Sequence, residues 1–410
     1  MEWNKNEMDE GKKQTESVCD IEAKELTEKE CWFWLDNLQG IGKVKRRKLL
    51  EKFQSAKGIF EAKKEELVTM PELRAADIDI LTQTERKQNT KEEYQKLIKK
   101  GVWFIRKGEE EYPEKLEYIY DSPDVLYVRG KLPDPEKKSI AIVGARNCTS
   151  YGIEIAEWFG KELAKAGMDV ISGLARGIDS AAHRGALIGQ REWFSQSQKE
   201  LEEADNRKEG SKSGGTYAIL GCGIDKCYPI ENLELFMEMQ RWGGVISEYG
   251  PGVEPRAGNF PLRNRIISGL ADAILIVEAK EKSGSLITAQ LGLEQGKDIF
   301  AIPGRGCDIL SKGCNQLIKQ GAFLVDSPQD ILDYYQIEMK KIWKENKKNE
   351  NFLDLKWEMV YSGLSLSPKH IHTIMEETNM SLADTIEVLL SLEVRGYIRK
   401  VDRNYYVLVN

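Results

Sequence analysis

Glycine-rich turns that contain or adjoin arginines are the segments of this sequence best suited to chemistry. They are GARNCTSYG (144–152), SGLARGID (172–179), GCGIDKCYP (221–229), SEYGPG (247–252), EAKEKSGSLITA (278–289) and PGRGCD (303–308). Such turns at helix N-termini present backbone N–H groups and the positive end of the helix dipole to an anion, commonly a phosphate. Glycine is also needed in strand–helix turns for steric reasons alone. The combination favours a phosphate-binding rim because arginines recur in it, namely Arg146, Arg176, Arg263, Arg265 and Arg305.

The most specific nucleotide and metal motifs are missing. Gly144 is followed by Ala-Arg-Asn, so no dinucleotide pattern G-x-G-x-x-G follows the first strand, and no P-loop G-x-x-x-x-G-K-[ST] occurs. The seven cysteines form no C-x-x-C pair and only three histidines are present, which argues against a zinc site. We therefore expect a phosphate-binding protein with neither a cofactor nor a metal.

Alternating strand and helix patterns over 139–335 must position these turns. The apolar runs are SIAIVG (139–144), DVISG (169–173), TYAILG (216–221), GGVISE (243–248), AILIVEA (273–279) and DIFAIPG (298–304). Strands that are apolar throughout and separated by amphipathic helices indicate a parallel sheet buried on both faces. The predicted fold class is α/β with a doubly wound, Rossmann-like parallel sheet core, whose ligands lie beyond the carboxyl ends of the strands.

The composition is typical of a soluble, cytoplasmic protein. No segment approaches the ~18 uncharged apolar residues of a membrane helix, and the first thirty residues have no apolar signal region. Scattered cysteines suit a reducing compartment. The formal net charge is −7, so a polyanion must be attracted by local basic clusters such as 40–64.

Shifts in composition predict the domain organisation. The segments are an acidic disordered tail (1–30), an N-terminal helical domain with its lead-in (31–120), the core (121–337) with an inserted polar loop (190–214), a linker (338–351) and a C-terminal domain (352–410).

Both flanking domains carry recognisable patterns. Residues 33–53 fit a helix–hairpin–helix (SAM-like) pattern, whose hairpin N–H groups and cations bind phosphate without reading sequence. The secondary DNA-binding candidates are Gly40, Gly42, Lys43, Lys45 and Arg46. Alternatively, the glycines cap two packed helices and the cations face solvent. Three helical patterns followed by two strands over 352–410 suggest a winged helix, whose excess of acidic residues favours a protein-contact or regulatory role over DNA binding.

Collinear motifs over about 139–335 resemble those of the DNA-processing protein A family (DprA, also called Smf). They include VGAR (143–146), SGLARGIDSAAHRGAL (172–187), LGCGIDKCYP (220–229), FPLRNRIISGLADAILIVEA (260–279) and SGSLITAQLGLEQGKDIFAIPG (283–304). The resemblance implies a non-enzymatic protein whose Rossmann-like core binds single-stranded DNA. It also implies delivery of that DNA to the RecA recombinase in natural transformation, and a homodimer.

The resemblance also implies a DNA-binding pocket at the sheet edge. Its predicted residues are Gly144, Arg146, Ser172, Gly173, Arg256, Phe260, Asn264, Arg265, Ser283 and Gly284. Arg146 and Arg265 would hold phosphate, and Phe260 would stack on a base. Alternatively, Phe260 belongs to the core and Arg265 pairs with a carboxylate such as Glu248 or Glu278.

The rival function is that of a nucleotide phosphoribohydrolase of the lysine-decarboxylase-like Rossmann group. That chemistry needs a carboxylate at the sugar. Near the expected position of the acid this sequence has Gln290, with Glu294 one helical turn further on, and Glu248 and Glu278 remain candidates.

Overall fold

The computed structural model describes residues 26–203, 213–337, 355–365, 368–394 and 396–408. They belong to two compact units, one extending to residue 338 and the other from residue 339 onward. Most of the predicted acidic tail (1–25) and the predicted linker (338–351) lie outside the described residues.

A nine-stranded sheet organises the larger unit. Its strands are β1 (Val102–Arg106), β2 (Val125–Gly130), β3 (Ser139–Val143), β4 (Asp169–Ser172), β5 (Thr216–Leu220), β6 (Gly244–Ser247), β7 (Ala273–Ile276), β8 (Asp298–Ala301) and β9 (Phe323–Leu324). Their order is β1-β2-β6-β5-β4-β3-β7-β8-β9. All neighbours from β6 to β9 pair in parallel, whereas β2 is antiparallel to both β6 and β1. The predicted Rossmann-like α/β core is therefore confirmed.

Helices connect the strands and cover the sheet. Those of the larger unit are α1 (Glu28–Asp36), α2 (Lys43–Phe53), α3 (Ala56–Glu61), α4 (Lys64–Val68), α5 (Ala75–Thr82), α6 (Thr84–Lys99), α7 (Glu114–Glu117), α8 (Ser150–Lys165), α9 (Ile178–Glu203), α10 (Leu233–Trp242), α11 (Asn259–Leu270), α12 (Gly284–Glu294), α13 (Lys312–Lys319) and α14 (Pro328–Tyr334), with a 3₁₀ turn at Ile230–Asn232. Among the described residues, no helix is both long and apolar enough to cross a lipid bilayer.

The sheet is buried on both faces because its central strands carry apolar side chains on both sides. Ile140 and Ile142 of β3 pack with α8 and α9, while Ala141 and Val143 face the layer that contains α11 and α12. All five residues of β3 are buried. Burial of every side chain explains why these strands appear in the sequence as continuous apolar runs rather than alternating ones.

The N-terminal helices belong to the same compact unit as the core. Phe33 of α1 and Leu97 of α6 share a buried cluster with Phe104 of β1 and Tyr127 of β2. The predicted boundary near residue 120 therefore does not separate two compact bodies, because β1 and its partner β2 extend the core sheet. The first helix begins at Glu28, inside the segment predicted as a tail.

Part of the polar segment 190–214, which the sequence predicts to be a loop, is helical. Helix α9 continues to Glu203, and residues 204–212 lie outside the described residues. Trp242 of α10 contacts this extension through the ring of Phe194 and accepts a hydrogen bond on its carbonyl from Gln190. One ring contact and one hydrogen bond, four residues apart on α9, thus join the start of this mostly polar segment to α10.

The smaller unit contains three helices and a three-stranded sheet. They are α15 (Leu355–Gly363), β10 (Lys369–His370), α16 (Ile371–Thr378), α17 (Leu382–Val394), β11 (Ile398–Asp402) and β12 (Tyr405–Leu408). Strand β12 lies between β10 and β11 and is antiparallel to both. The three helices and the final hairpin follow in the predicted order.

Candidate nucleic-acid interface

The strand order reverses between β3 and β7, which places a crevice beyond their carboxyl ends. Helix α8 starts there, and its N-terminus is already occupied by a carboxylate of the chain itself. Thr149 donates from its backbone N–H (2.9 Å) and its hydroxyl (2.6 Å) to the buried Glu278, which follows β7. The protein's own anion therefore fills the position where many Rossmann-like folds hold a phosphate.

Phe260 and Arg146 lie side by side at this edge. Arg146 follows β3, is exposed, and places its guanidinium carbon 5.3 Å from the centre of the Phe260 ring. Phe260, in the first turn of α11, is only partly buried. Its ring lies against Gly221 at the end of β5, where an added Cβ would be 2.7 Å from the ring. Proteins that bind single-stranded nucleic acids stack the bases on aromatic side chains of this kind, with arginines contributing beside them.

Tyr228, which is not among the residues predicted from the sequence, extends this aromatic surface. Its ring centre lies 5.4 Å from that of Phe260, with the two ring planes inclined by 31°. The tyrosine side chain is 45% exposed. The signal available in the sequence was an aromatic residue in the glycine-rich turn 221–229, facing the same sheet edge as the other turns.

Four more of the predicted residues lie at accessible positions. Arg256 is exposed, four residues before Phe260. Asn264 donates from its amide to the carbonyl of Gly284 (3.4 Å) and so links α11 to the start of α12. Ser283 caps α12 through the N–H of Ser285, and the exposed Gly284 has open space where a Cβ would stand.

Ser172 and Gly173 differ from the expectation that they line an open pocket, because both are buried and paired within the protein. The Ser172 hydroxyl donates to the carbonyl of Ile142 (2.6 Å). The Gly173 N–H donates to Asp179 (3.1 Å), and its carbonyl accepts from Arg263 (2.9 Å). The polar groups of Ser172 and Gly173 therefore bind other groups of the protein and do not face a ligand.

Gly144 and Arg263 are likewise structural. A Cβ on the half-buried Gly144 would lie 2.6 Å from Ile178, so glycine is needed there for close packing of α9. The Arg263 guanidinium is buried under the rim, and this burial lowers its pKa to about 10. Burial also raises the pKa of Asp179, although nearby Arg263 opposes that shift.

Arg265 forms an ion pair with Glu248, the alternative considered from the sequence, and does not present its guanidinium to the pocket as a free phosphate ligand. It is 6% exposed and donates to both oxygens of Glu248 (2.7 and 2.8 Å) and to Asp121 (3.2 Å). Burial disfavours its charge, but the two carboxylates raise the pKa of Arg265 above its usual value. Lys43 of α2 completes a four-residue ion cluster, with its Nζ 2.6 Å from Glu248 and 3.2 Å from Asp121.

The cations of the predicted N-terminal hairpin are therefore engaged. Lys45 lies 2.7 Å from Asp77, and Arg46 pairs with Asp36. Gly40 adopts a positive φ of 99°, which permits the sharp turn before α2, and the exposed Gly42 precedes the first helical residue. The hairpin glycines lie where the sequence predicts them. Lys45 and Arg46 join α2 to carboxylates of α5 and α1, and Lys43 joins it to Asp121 and Glu248 outside the helices.

The carboxylates considered for a hydrolase are also engaged. Besides Glu278 and Glu248, the exposed Glu294 accepts a hydrogen bond from Gln290 (3.1 Å). Among the described residues, no three histidine, cysteine or acidic side chains are grouped in a way that could hold a metal ion.

Comparison with known proteins agrees with this fold. The family model described as DNA recombination-mediator protein A matches residues 103–336. The DNA processing protein DprA of Streptococcus pneumoniae is 40% identical over 225 residues, covering 55% of this chain and 71% of that protein. DprA of Bacillus subtilis is 34% identical over 274 residues, covering 65% and 84%.

A solved structure shares the architecture as well. The X-ray structure of DNA processing protein A from Streptococcus pneumoniae superimposes with a TM-score of 0.57 at 31% identity. The match covers 77% of this chain and 99% of that one. The chain therefore belongs to the DNA recombination-mediator protein A family.

Proposed function

We propose that this protein binds single-stranded DNA at the carboxyl edge of its parallel sheet. The observation that carries the proposal is the partly exposed Phe260 ring with the Arg146 guanidinium beside it. Stacking on an aromatic side chain contributes ~1–3 kcal/mol per base without sequence preference. A base must be unpaired and exposed to stack in this way, so the surface favours single strands over duplexes.

Phosphate recognition would come from exposed groups around this ring. Arg146 and Arg256 are exposed, and no described carboxylate forms an ion pair with either one. Ser283 and Gly284, at the N-terminus of the eleven-residue helix α12, add polar groups nearby. Arginine binds phosphate through two parallel N–H donors, which gives orientation as well as affinity.

We further propose that the bound strand is protected and passed to the RecA recombinase during DNA uptake in the cytoplasm, by a homodimer. Family membership supports this role, because the family is described as mediating DNA recombination. Residues 352–410, read as a winged helix, would serve protein contact or regulation, because this segment has six Lys/Arg against eight Asp/Glu. The assay is RecA ATPase activity on single strands already coated with a single-strand-binding protein. Addition of this protein should shorten the lag before hydrolysis, and an unchanged lag would remove the mediator role.

We propose binding rather than catalysis at this edge. A glycosidic hydrolase needs a carboxylate free to act at the sugar, whereas Glu278 caps α8 and Glu248 is held by Arg265 and Lys43. Incubation with nucleoside monophosphates tests this proposal, because rapid release of free base would favour the hydrolase over the DNA-binding protein.

The binding proposal is tested by titrating fluorescently labelled single- and double-stranded oligonucleotides and following anisotropy. Wild type should prefer the single strand, and Arg146→Ala should weaken its binding. Arg241→Ala is the matched control, because Arg241 is also exposed but lies in the last turn of α10, before β6 begins. Equal affinity for both DNA forms, or equal losses in the two variants, would contradict the proposal.

A further inference from the structure

Tyr228 and Phe260 form a continuous aromatic surface at the carboxyl edge. Their ring centres are 5.4 Å apart and the planes are inclined by only 31°, so the two faces are closer to parallel than to an edge-to-face packing. Aromatic pairs buried in a core often pack edge to face, as Phe33 and Phe104 do here with planes at 88°. The exposed, nearly parallel pair is thus shaped to accept another flat ring.

The turn that carries Tyr228 is anchored on both sides. Before it, the Gly223 N–H donates to the carbonyl of Val253 (2.8 Å). After it, the Asn232 amide donates to the carbonyl of Leu174 (2.9 Å), beyond the end of β4. Fixing both ends limits the motion of the turn and reduces the entropy lost when a ligand binds to Tyr228.

The exposure of Tyr228 has no explanation in packing alone. Its ring is 45% exposed, although a half-buried aromatic side chain could contribute more to stability by turning inward against the core. Tyr228 lies next to Phe260, whose ring also has Arg146 beside it, so the single-stranded DNA of the proposed function is the ligand within its reach. The chain therefore presents aromatic surface for more than one base.

We infer that Tyr228 is a second base-stacking residue, which holds an unpaired nucleobase next to the one stacked on Phe260. This inference rests on the proposed function and makes it more specific. The ligand is a run of at least two consecutive unpaired nucleotides, whose bases contribute affinity independently of the phosphate contacts of Arg146.

The experiment compares two single-stranded probes of equal length, oligo-dT and an abasic oligonucleotide that keeps the same phosphates without bases. Binding is measured by anisotropy with the full-length protein. Tyr228→Leu retains apolar bulk against Phe260 and should lower affinity for oligo-dT about tenfold. Its affinity for the abasic probe and the slope of log affinity against log salt should not change, because no phosphate contact is lost. Tyr228→Trp should restore binding to oligo-dT.

Tyr397→Ala is the matched control. Tyr397 is 43% exposed and also packs beside another ring, that of Tyr361, but it belongs to the smaller compact unit. This variant should leave the affinity for both probes unchanged.

The outcomes separate this inference from the proposed function. If wild type binds oligo-dT no better than the abasic probe, stacking at this edge fails altogether. If wild type prefers oligo-dT and Tyr228→Leu keeps the full preference, only the Tyr228 inference fails. Wild-type protein also gives an answer that does not depend on folding of a variant. Photo-crosslinking to 5-iodouracil DNA should yield adducts at both Phe260 and Tyr228, and adducts at Phe260 without Tyr228 would overturn the inference.

Discussion

Replacing Arg265 by alanine should destabilise the fold while leaving DNA affinity nearly intact. Arg265 is 6% exposed and bonds both oxygens of Glu248, whose side chain is 9% exposed. Removing one partner of a buried ion pair costs ~3–5 kcal/mol, because the other charge stays buried without compensation. Here Lys43 remains 2.6 Å from Glu248 and offsets part of that cost. Since Lys43 is itself 39% exposed, its effect is screened by solvent. We expect a loss of about 2–4 kcal/mol.

Urea unfolding followed by tryptophan fluorescence measures this change. The double variant Arg265→Ala/Glu248→Gln should recover more than half of the loss, because no buried carboxylate is then left unpaired. Anisotropy with oligo-dT on the folded Arg265→Ala protein should give an affinity close to that of wild type. An unchanged unfolding midpoint together with a hundredfold loss of affinity would refute the reasoning and restore Arg265 to the phosphate contacts.

Three further predictions follow from other parts of the molecule. Lys43→Met should not change the salt dependence of single-strand binding, because Glu248 already neutralises this lysine; a flatter slope in anisotropy titrations would place the hairpin on DNA. Gly221→Ala should weaken oligo-dT binding several-fold, because the new Cβ would displace the Phe260 ring, while abasic DNA should bind as before. Burial lowers the pKa of His183 to about 3 from 6.5, so the folded state resists protonation that the unfolded chain accepts. The stability that this residue contributes is fully present above pH 6.5 and falls by about 1 kcal/mol per pH unit below it. In urea unfolding at pH 4.5–6.5, the free energy of unfolding should therefore depend less steeply on pH in His183→Gln than in wild type. Equal slopes would contradict the lowered pKa of His183.

The sheet could be predicted from the sequence because burial on both faces leaves a strong local signal. The runs IAIV (140–143) and AILIV (273–277) are apolar throughout, and glycine-rich turns mark where many of the strands end. The assignment of β1 to the core was harder, since its pairing with β2 joins segments about twenty residues apart and crosses a composition boundary. Helix α9 extends to Glu203 and its Phe194 contacts Trp242 of α10, a contact between distant segments that no local pattern reveals.

The candidate site was only partly predictable for a related reason. Sequence motifs locate Arg146 and Phe260 at one sheet edge, and the structure places the two side chains together. The sequence motifs do not distinguish a cation that faces solvent from one that is already paired with a carboxylate. Arg265 of α11 meets Glu248, which follows β6, so its ion pair becomes apparent only when the elements are assembled. Tyr228 was missed because its role depends on its distance from Phe260, which lies more than thirty residues away in sequence.

Single-strand binding by Arg146→Ala/Phe260→Ala, measured across a range of salt concentrations, tests whether Arg146 and Phe260 at the carboxyl edge of the sheet bind DNA. The phosphate contact and the stacked base contribute independently, at about 1.5–3 and ~1–3 kcal/mol. We predict a loss of roughly a hundredfold or more in affinity, a reduction of about 0.7 in the salt slope for the lost phosphate contact, and a melting temperature close to that of wild type. A folded double variant that binds oligo-dT with wild-type affinity and wild-type salt dependence would show that Arg146 and Phe260 do not bind DNA.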